Sequence, residues 1–232
     1  MKAKIIHILC EGQTEQGFVE DVLSPYLREH GITGVKSILL TTNKKKNARG
    51  GMISFNKVLS DLSILQQTNK DGVYERHIFT TMFDLYALPS DFPGFEQGKS
   101  INDPYLKVAH LEKAFANEIK GDHFIPYIQL HEFEALLFCG IDFIIKLYPD
   151  CDKRCEQLNK ALLEAGNPEL IDNSPETAPS KRIIEAIEGN KKTHYNYNKP
   201  KTGKAVTKNI GIEQLRSKCK HFDEWIEKLI SC

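Results

Sequence analysis

Four short apolar runs in the first 140 residues are interleaved with longer amphipathic stretches. Lys4 to Cys10 (KIIHILC), Val35 to Thr41, His77 to Asp84 (HIFTTMFD) and Phe124 to Leu130 read as buried strands, rich in β-branched and aromatic residues. Between them, Thr14 to His30, Ser54 to Gln67 and Asp103 to Ile119 carry apolar residues at helical spacing. In the first, Phe18, Val22 and Tyr26 are four apart and Gly31 follows as a stop; in the third, Asn102 or Asp103 precedes Pro104 as a cap. Strands separated by crossover helices pair in parallel, with helices on both faces. The expected fold is α/β: a mostly parallel four-stranded sheet over 1–140, with a helical extension over 141–232 packed on it. In that extension, 143–148, 153–165, 180–188, 213–219 and 222–230 read as helices.

Composition narrows the class further. Hydrophobic residues make up 41% and charged residues 27% of 232, which excludes general disorder. Lys+Arg and Asp+Glu are 31 each, so the chain is not a uniformly basic nucleic-acid coat, although a local basic patch remains open. No apolar stretch reaches the ~18 residues of a spanning helix. The run after Met1 is too short for a signal-peptide core, which points to the cytoplasm. Of six cysteines only Cys151 and Cys155 are close, so free thiols are expected rather than a zinc site.

Sites in open parallel sheets form at the carboxyl ends of the strands. Three acidic segments fall there. Glu11 ends the first strand in CEGQTE, and Glu15 follows in the first helical turn, where an acid also suits the helix dipole. Asp84 ends the third strand. His131-Glu132-Phe133-Glu134 follows the fourth; on a helix His131 and Glu134 share a face, and Glu132 joins them only if the helix starts later. If the first and third strands are neighbours, Glu11 and Asp84 face each other. Adjacent carboxylates repel unless a cation lies between them, and hard oxygen donors suit Mg2+ or Mn2+.

Strand, Glu-Gly-x-Thr-Glu, helix, and an aspartate ending a later strand together resemble the TOPRIM domain of topoisomerases, primases and overcoming-lysogenization-defect (OLD) type nucleases. The whole chain resembles domain-of-unknown-function family 4276, through CEGQTE at 10–15, TTMFDLYALPSDFPG at 80–94, PYIQLHEFEALLF at 126–138, NIGIEQLRSKC at 209–219 and Trp225. The resemblance implies a Mg2+-dependent nuclease of DNA or RNA. Glu11 is then the catalytic glutamate and Asp84 the first acid of an Asp-x-Asp pair, with Glu15 as a further catalytic residue and Glu11, Asp84, Glu132 and Glu134 as metal ligands. It also implies a P-loop ATPase partner and a role in phage defence; the sequence has no P-loop motif, so any ATP hydrolysis falls to a partner. The second acidic position is Tyr86; Asp91, Glu132 and Glu134 are the candidates to replace it.

Two basic segments are expected to hold a phosphate backbone: Lys44, Lys45 and Arg49 in a mobile loop, and the Lys/Tyr-rich loop from 191 with Lys199, Lys201, Lys204 and Lys208. The rival expectation is a binding subunit of an ATPase complex that keeps the fold and has lost catalysis. A third is a small-molecule phosphohydrolase or nucleotidyltransferase on the same residues.

Overall fold

The computed structural model of the chain describes residues 2–41, 54–119, 121, 123–171, 177–189 and 193–232. The first strand, β1 (Ala3–Cys10), lies between β2 (Gly34–Leu39) and β3 (Glu75–Asp84), parallel to both. Its last five residues are buried, as expected of a strand covered on two faces. β2 forms one edge and is half-exposed. The far edge is interrupted. β4 (Phe124–Ile125) and β5 (Ile128–Gln129) pair with β3 in one continuous register on either side of Pro126. Proline has no N–H for the ladder, which is why the single expected strand splits. The Thr81 hydroxyl bridges the gap, donating to the Tyr127 carbonyl at 2.9 Å and accepting from the Tyr127 N–H at 3.0 Å.

Alternation along the strands sorts two cores onto the two faces. Ile6, Ile8 and Cys10, with Ile78 and Met82, face one helical layer. Leu9 and Phe83 face the other, against α3 (Phe55–Thr68) and α5 (Pro104–Glu118). Asp103 caps α5 by accepting from the Leu106 N–H at 2.9 Å. The stretch after β3 holds a 3-10 turn (Leu85–Ala87) and the short helix α4 (Phe95–Gly98).

The helix after β1 begins as α1 (Gln13–Phe18), widens into a π turn (Val19–Leu23) and resumes as α2 (Ser24–Glu29). Pro25 cannot donate to the helical ladder, and the wide turn lies just before it. On the same face, α6 (Ile141–Leu147), α7 (Asp152–Ala165), α8 (Pro179–Glu188), α9 (Lys199–Ile210), α10 (Ile212–Lys218) and α11 (Lys220–Ser231) join the first core. Trp225 of α11 stacks on Tyr127 with ring centroids 4.1 Å apart and donates to the Thr80 hydroxyl at 2.9 Å.

α9 corrects the sequence reading, which takes 191–208 as a loop. Asn198 caps it by accepting from the Lys201 N–H at 3.0 Å, with Pro200 in the first turn. Thr202, Gly203, Val206, Thr207 and Ile210 form its buried face. Residues 44, 45 and 49 lie outside the described residues. Cys151 and Cys155, with sulfurs 2.8 Å apart, are buried free thiols, as are Cys139 and Cys219.

Candidate metal centre

The sheet order β2-β1-β3 means that the chain leaves β1 toward one side and returns on the other. The carboxyl ends of β1 and β3 therefore flank the switch point at which α/β sheets open a crevice. Asp84 ends β3 there, 4% exposed. One of its oxygens accepts from the Phe133 N–H at 2.9 Å. Glu11 follows β1, and its Oε2 accepts from the Asp84 N–H at 3.0 Å.

The third acidic segment is shaped by an unusual backbone. His131 has φ of 60°, a left-handed conformation rare outside glycine. Glu132 is then extended, and a 3-10 helix starts only at Phe133 (Phe133–Gly140). The later start brings Glu132 and Glu134 to Asp84. Carboxylate oxygens of Asp84, Glu132 and Glu134 lie within 4.8 Å of one another, all buried. Glu132 accepts through Oε1 from the Ser180 N–H in the first turn of α8, while its Oε2 has no hydrogen-bond partner among the described residues. Glu134 accepts from the Tyr197 hydroxyl at 3.0 Å.

Lys199, at the start of α9, enters the same cluster. Its ammonium lies 2.9 Å from Glu134 Oε2 and 3.8 Å from Asp84 Oδ2. Burial pulls its pKa down, but Asp84 and Glu134 more than reverse this, and it stays charged. One ammonium does not neutralise the group. Burial, reinforced by the neighbouring carboxylates, raises Asp84 well above the usual carboxylate range. Burial likewise raises Glu134, against the pull of Lys199. Glu11 is pushed up to about 7 by burial, opposed by the Asp84 amide and assisted by Glu15. Buried acids that resist ionisation for want of positive charge mark a site where an added cation is stabilised.

The donor set is all carboxylate, with one buried oxygen free, which fits a hard divalent ion such as Mg2+ or Mn2+. Asp84, Glu132 and Glu134 are placed to hold it, with Glu11 beside them. Glu15 turns back on its own helix and accepts from the Gly12 N–H at 2.9 Å. Asp91 is elsewhere, accepting from the Phe55 N–H at the start of α3. Tyr86, in the turn after Asp84, has its phenol pKa raised by burial and by the charge of Glu132. Lys201, Lys204 and Lys208 are exposed on α9 at spacings of three and four, and Lys204 pairs with Asp21 at 2.9 Å. Tyr197 and Ser180 are site residues that sequence reasoning missed; the basic-aromatic run around 197 and the Pro179 helix start are the only sequence signals for them.

Two solved structures of the C-terminal region of the Xanthomonas campestris pv. campestris OLD protein are similar to the chain, each at 14% identity. One covers 96% of this chain and 96% of its own, with a TM-score of 0.35; the other covers 96% and 97%, with a TM-score of 0.34. No curated protein matches the chain. The family model described as Domain of unknown function (DUF4276) matches residues 10–230, nearly the whole sequence. The chain belongs to the DUF4276 family.

Proposed function

We propose that the chain is a divalent-metal-dependent phosphodiesterase acting on DNA or RNA. The observation that carries this reading is the buried Asp84–Glu132–Glu134 cluster at the switch point of the sheet, with its unpartnered Glu132 oxygen. When bound there, Mg2+ or Mn2+ supplies Lewis-acid polarisation of a phosphodiester and a more acidic bound water. Asp84, Glu132 and Glu134 hold the ion. Glu11, with a pKa raised to about 7, can accept and return a proton near neutral pH. Glu15 fixes the Gly12 turn that carries Glu11. Lys199 offsets the negative charge at the point where a phosphate approaches. Lys201, Lys204 and Lys208 on α9, with Lys44, Lys45 and Arg49, steer the strand.

A P-loop ATPase partner and a role in phage defence rest on the resemblance to TOPRIM-like, OLD-type proteins, and cytoplasmic residence is part of the same proposal. Among the described residues no helix is long and apolar enough to cross a membrane. We also propose that 1–140 is the TOPRIM-like α/β core and 141–232 a helical extension packed on it, from which Lys199 reaches the site.

One observation favours a second reading. The Lys199 ammonium already occupies the cluster, which suits a binding subunit that has given up its metal. Calorimetry with Mn2+ separates the two. The nuclease reading expects binding that Asp84→Asn abolishes, and Mn2+-dependent cleavage of plasmid DNA, single strands or RNA that both Asp84→Asn and Glu11→Gln abolish. Failure of the wild type to bind Mn2+, or cleavage that survives both substitutions, overturns it.

A further inference from the structure

A cavity of about 500 Å³ lies directly beside the acidic cluster. Two of its lining residues, Leu85 and His131, are the chain neighbours of the cluster residues Asp84 and Glu132, and the N–H of a third, Tyr86, donates to the His131 carbonyl at 3.1 Å. Its lining is mixed: Leu85, Leu88, Phe95 and Leu111 give apolar wall, and Lys99 stands among them. Tyr86 is 50% exposed. Asn102 and Lys107 add polar groups.

We infer that this cavity takes an unpaired nucleobase of the strand whose phosphate lies at the carboxylates, making single-stranded or frayed nucleic acid the preferred substrate class. The inference rests on the nuclease reading and adds a specificity pocket to it. The volume falls within the range of small-molecule pockets, roughly 300–1,000 Å³. Apolar walls with a few polar groups suit a flat heteroaromatic ring that still needs its edge hydrogen-bonded. The Asn102 amide can both donate and accept along such an edge. An exposed tyrosine ring between pocket and carboxylates is placed to stack on a base, and every base has a face for it. Lys99 and Lys107 give the lining positive charge, in keeping with a polyanionic ligand. A base still paired within a duplex has its pairing edge and both faces occupied, so to reach the cavity the strand must present it unpaired.

The test is fluorescence anisotropy with three labelled probes of about twelve nucleotides, a length suited to a single-strand groove. The probes are an oligothymidylate, an abasic strand with the same backbone, and a closed dumbbell duplex. Each is titrated in Ca2+ and in Mn2+ against the wild type, Leu170→Trp and Asn102→Trp. Both substitutions fill the cavity, from half-buried and exposed positions respectively. The wild type is expected to bind the oligothymidylate about tenfold more tightly than either other probe. Both variants are expected to lose that preference and to keep wild-type Mn2+ binding in calorimetry. Equal binding of the abasic strand by the wild type overturns the proposal and requires no variant. Retention of the preference by both filled variants overturns it as well, as does failure of any strand to bind. The nuclease reading is judged separately, by Mn2+ binding and cleavage, so a pocket that takes no base leaves it standing.

Discussion

Glu11→Gln is expected to stabilise the metal-free protein increasingly as pH rises from about 4.5 to about 7, fully above that, and to leave it unchanged in stronger acid. Burial holds the Glu11 carboxyl up at about 7, against an ordinary value of 4.5. A folded-state pKa above the unfolded one means that the native state keeps a proton the unfolded chain has released. Below about pH 4.5 both states are protonated and the contribution of Glu11 is intact; it is lost as pH rises through about 7. Each pH unit across that window costs about 1.4 kcal/mol, so by pH 8 the ionised side chain costs the fold about 3 kcal/mol. Glutamine keeps an oxygen to accept the Asp84 N–H and has no charge to desolvate. For a chain of this size 1 kcal/mol shifts Tm by roughly 2–4 °C, so the variant should melt roughly 6–12 °C above the wild type at pH 8 in EDTA. Calorimetric melts from pH 4.5 to 8.5 test this. A variant that melts below the wild type at pH 8, or a gap that stays constant with pH, would refute the burial argument. Saturating Mn2+ should narrow the gap, because a ligand that binds only the native state stabilises it and the wild type has the more complete site. Glu11 would then be a residue whose cost to the fold is offset when the cation arrives.

Three other perturbations follow from the same geometry. Lys199→Met removes the ammonium from Glu134 and Asp84, and Mn2+ should bind at least about tenfold more tightly by calorimetry while single strands bind more weakly. Unchanged Mn2+ affinity would mean that Lys199 does not compete for the cluster. Gly203→Ala places a methyl group 2.9 Å from the Phe133 ring and 3.0 Å from the Thr14 methyl, so α9 must shift. Overpacking of about 1–3 kcal/mol should exceed the ~1 kcal/mol gained in helix propensity, giving a lower denaturant midpoint. Thr81→Val leaves the buried Tyr127 N–H beside Pro126 without an acceptor and should cost about 1–3 kcal/mol in a urea melt.

The strand ends were legible in the sequence because period-two burial and terminal acids are local signals. Glu11 and Asp84 needed only adjacency of β1 and β3, which the sequence left as a condition and the sheet order meets. Glu132 and Glu134 could be read together only on the condition of a later helix start, which the sequence itself does not supply. Helical spacing pairs His131 with Glu134, and only a positive φ at His131, which no non-glycine residue announces, turns the chain so that Glu132 comes round as well. α9 failed for a different reason. Its buried face reads Thr202, Gly203, Val206, Thr207 and Ile210, too polar and too small for an apolar stripe. Those small residues let the helix approach Thr14 and Phe133 closely, so weak patterning and tight packing have one cause. Lys199 follows from this. In a solvated loop a lysine gains little from pairing with buried acids, because ordering the side chain costs about as much as the pair returns. In the first turn of a helix anchored on α1, most of that ordering is already complete. The sequence signals that mattered were therefore Asn198 as cap and Pro200 behind it, which mark the helix start and with it the place of the only lysine that reaches the acidic cluster among the described residues.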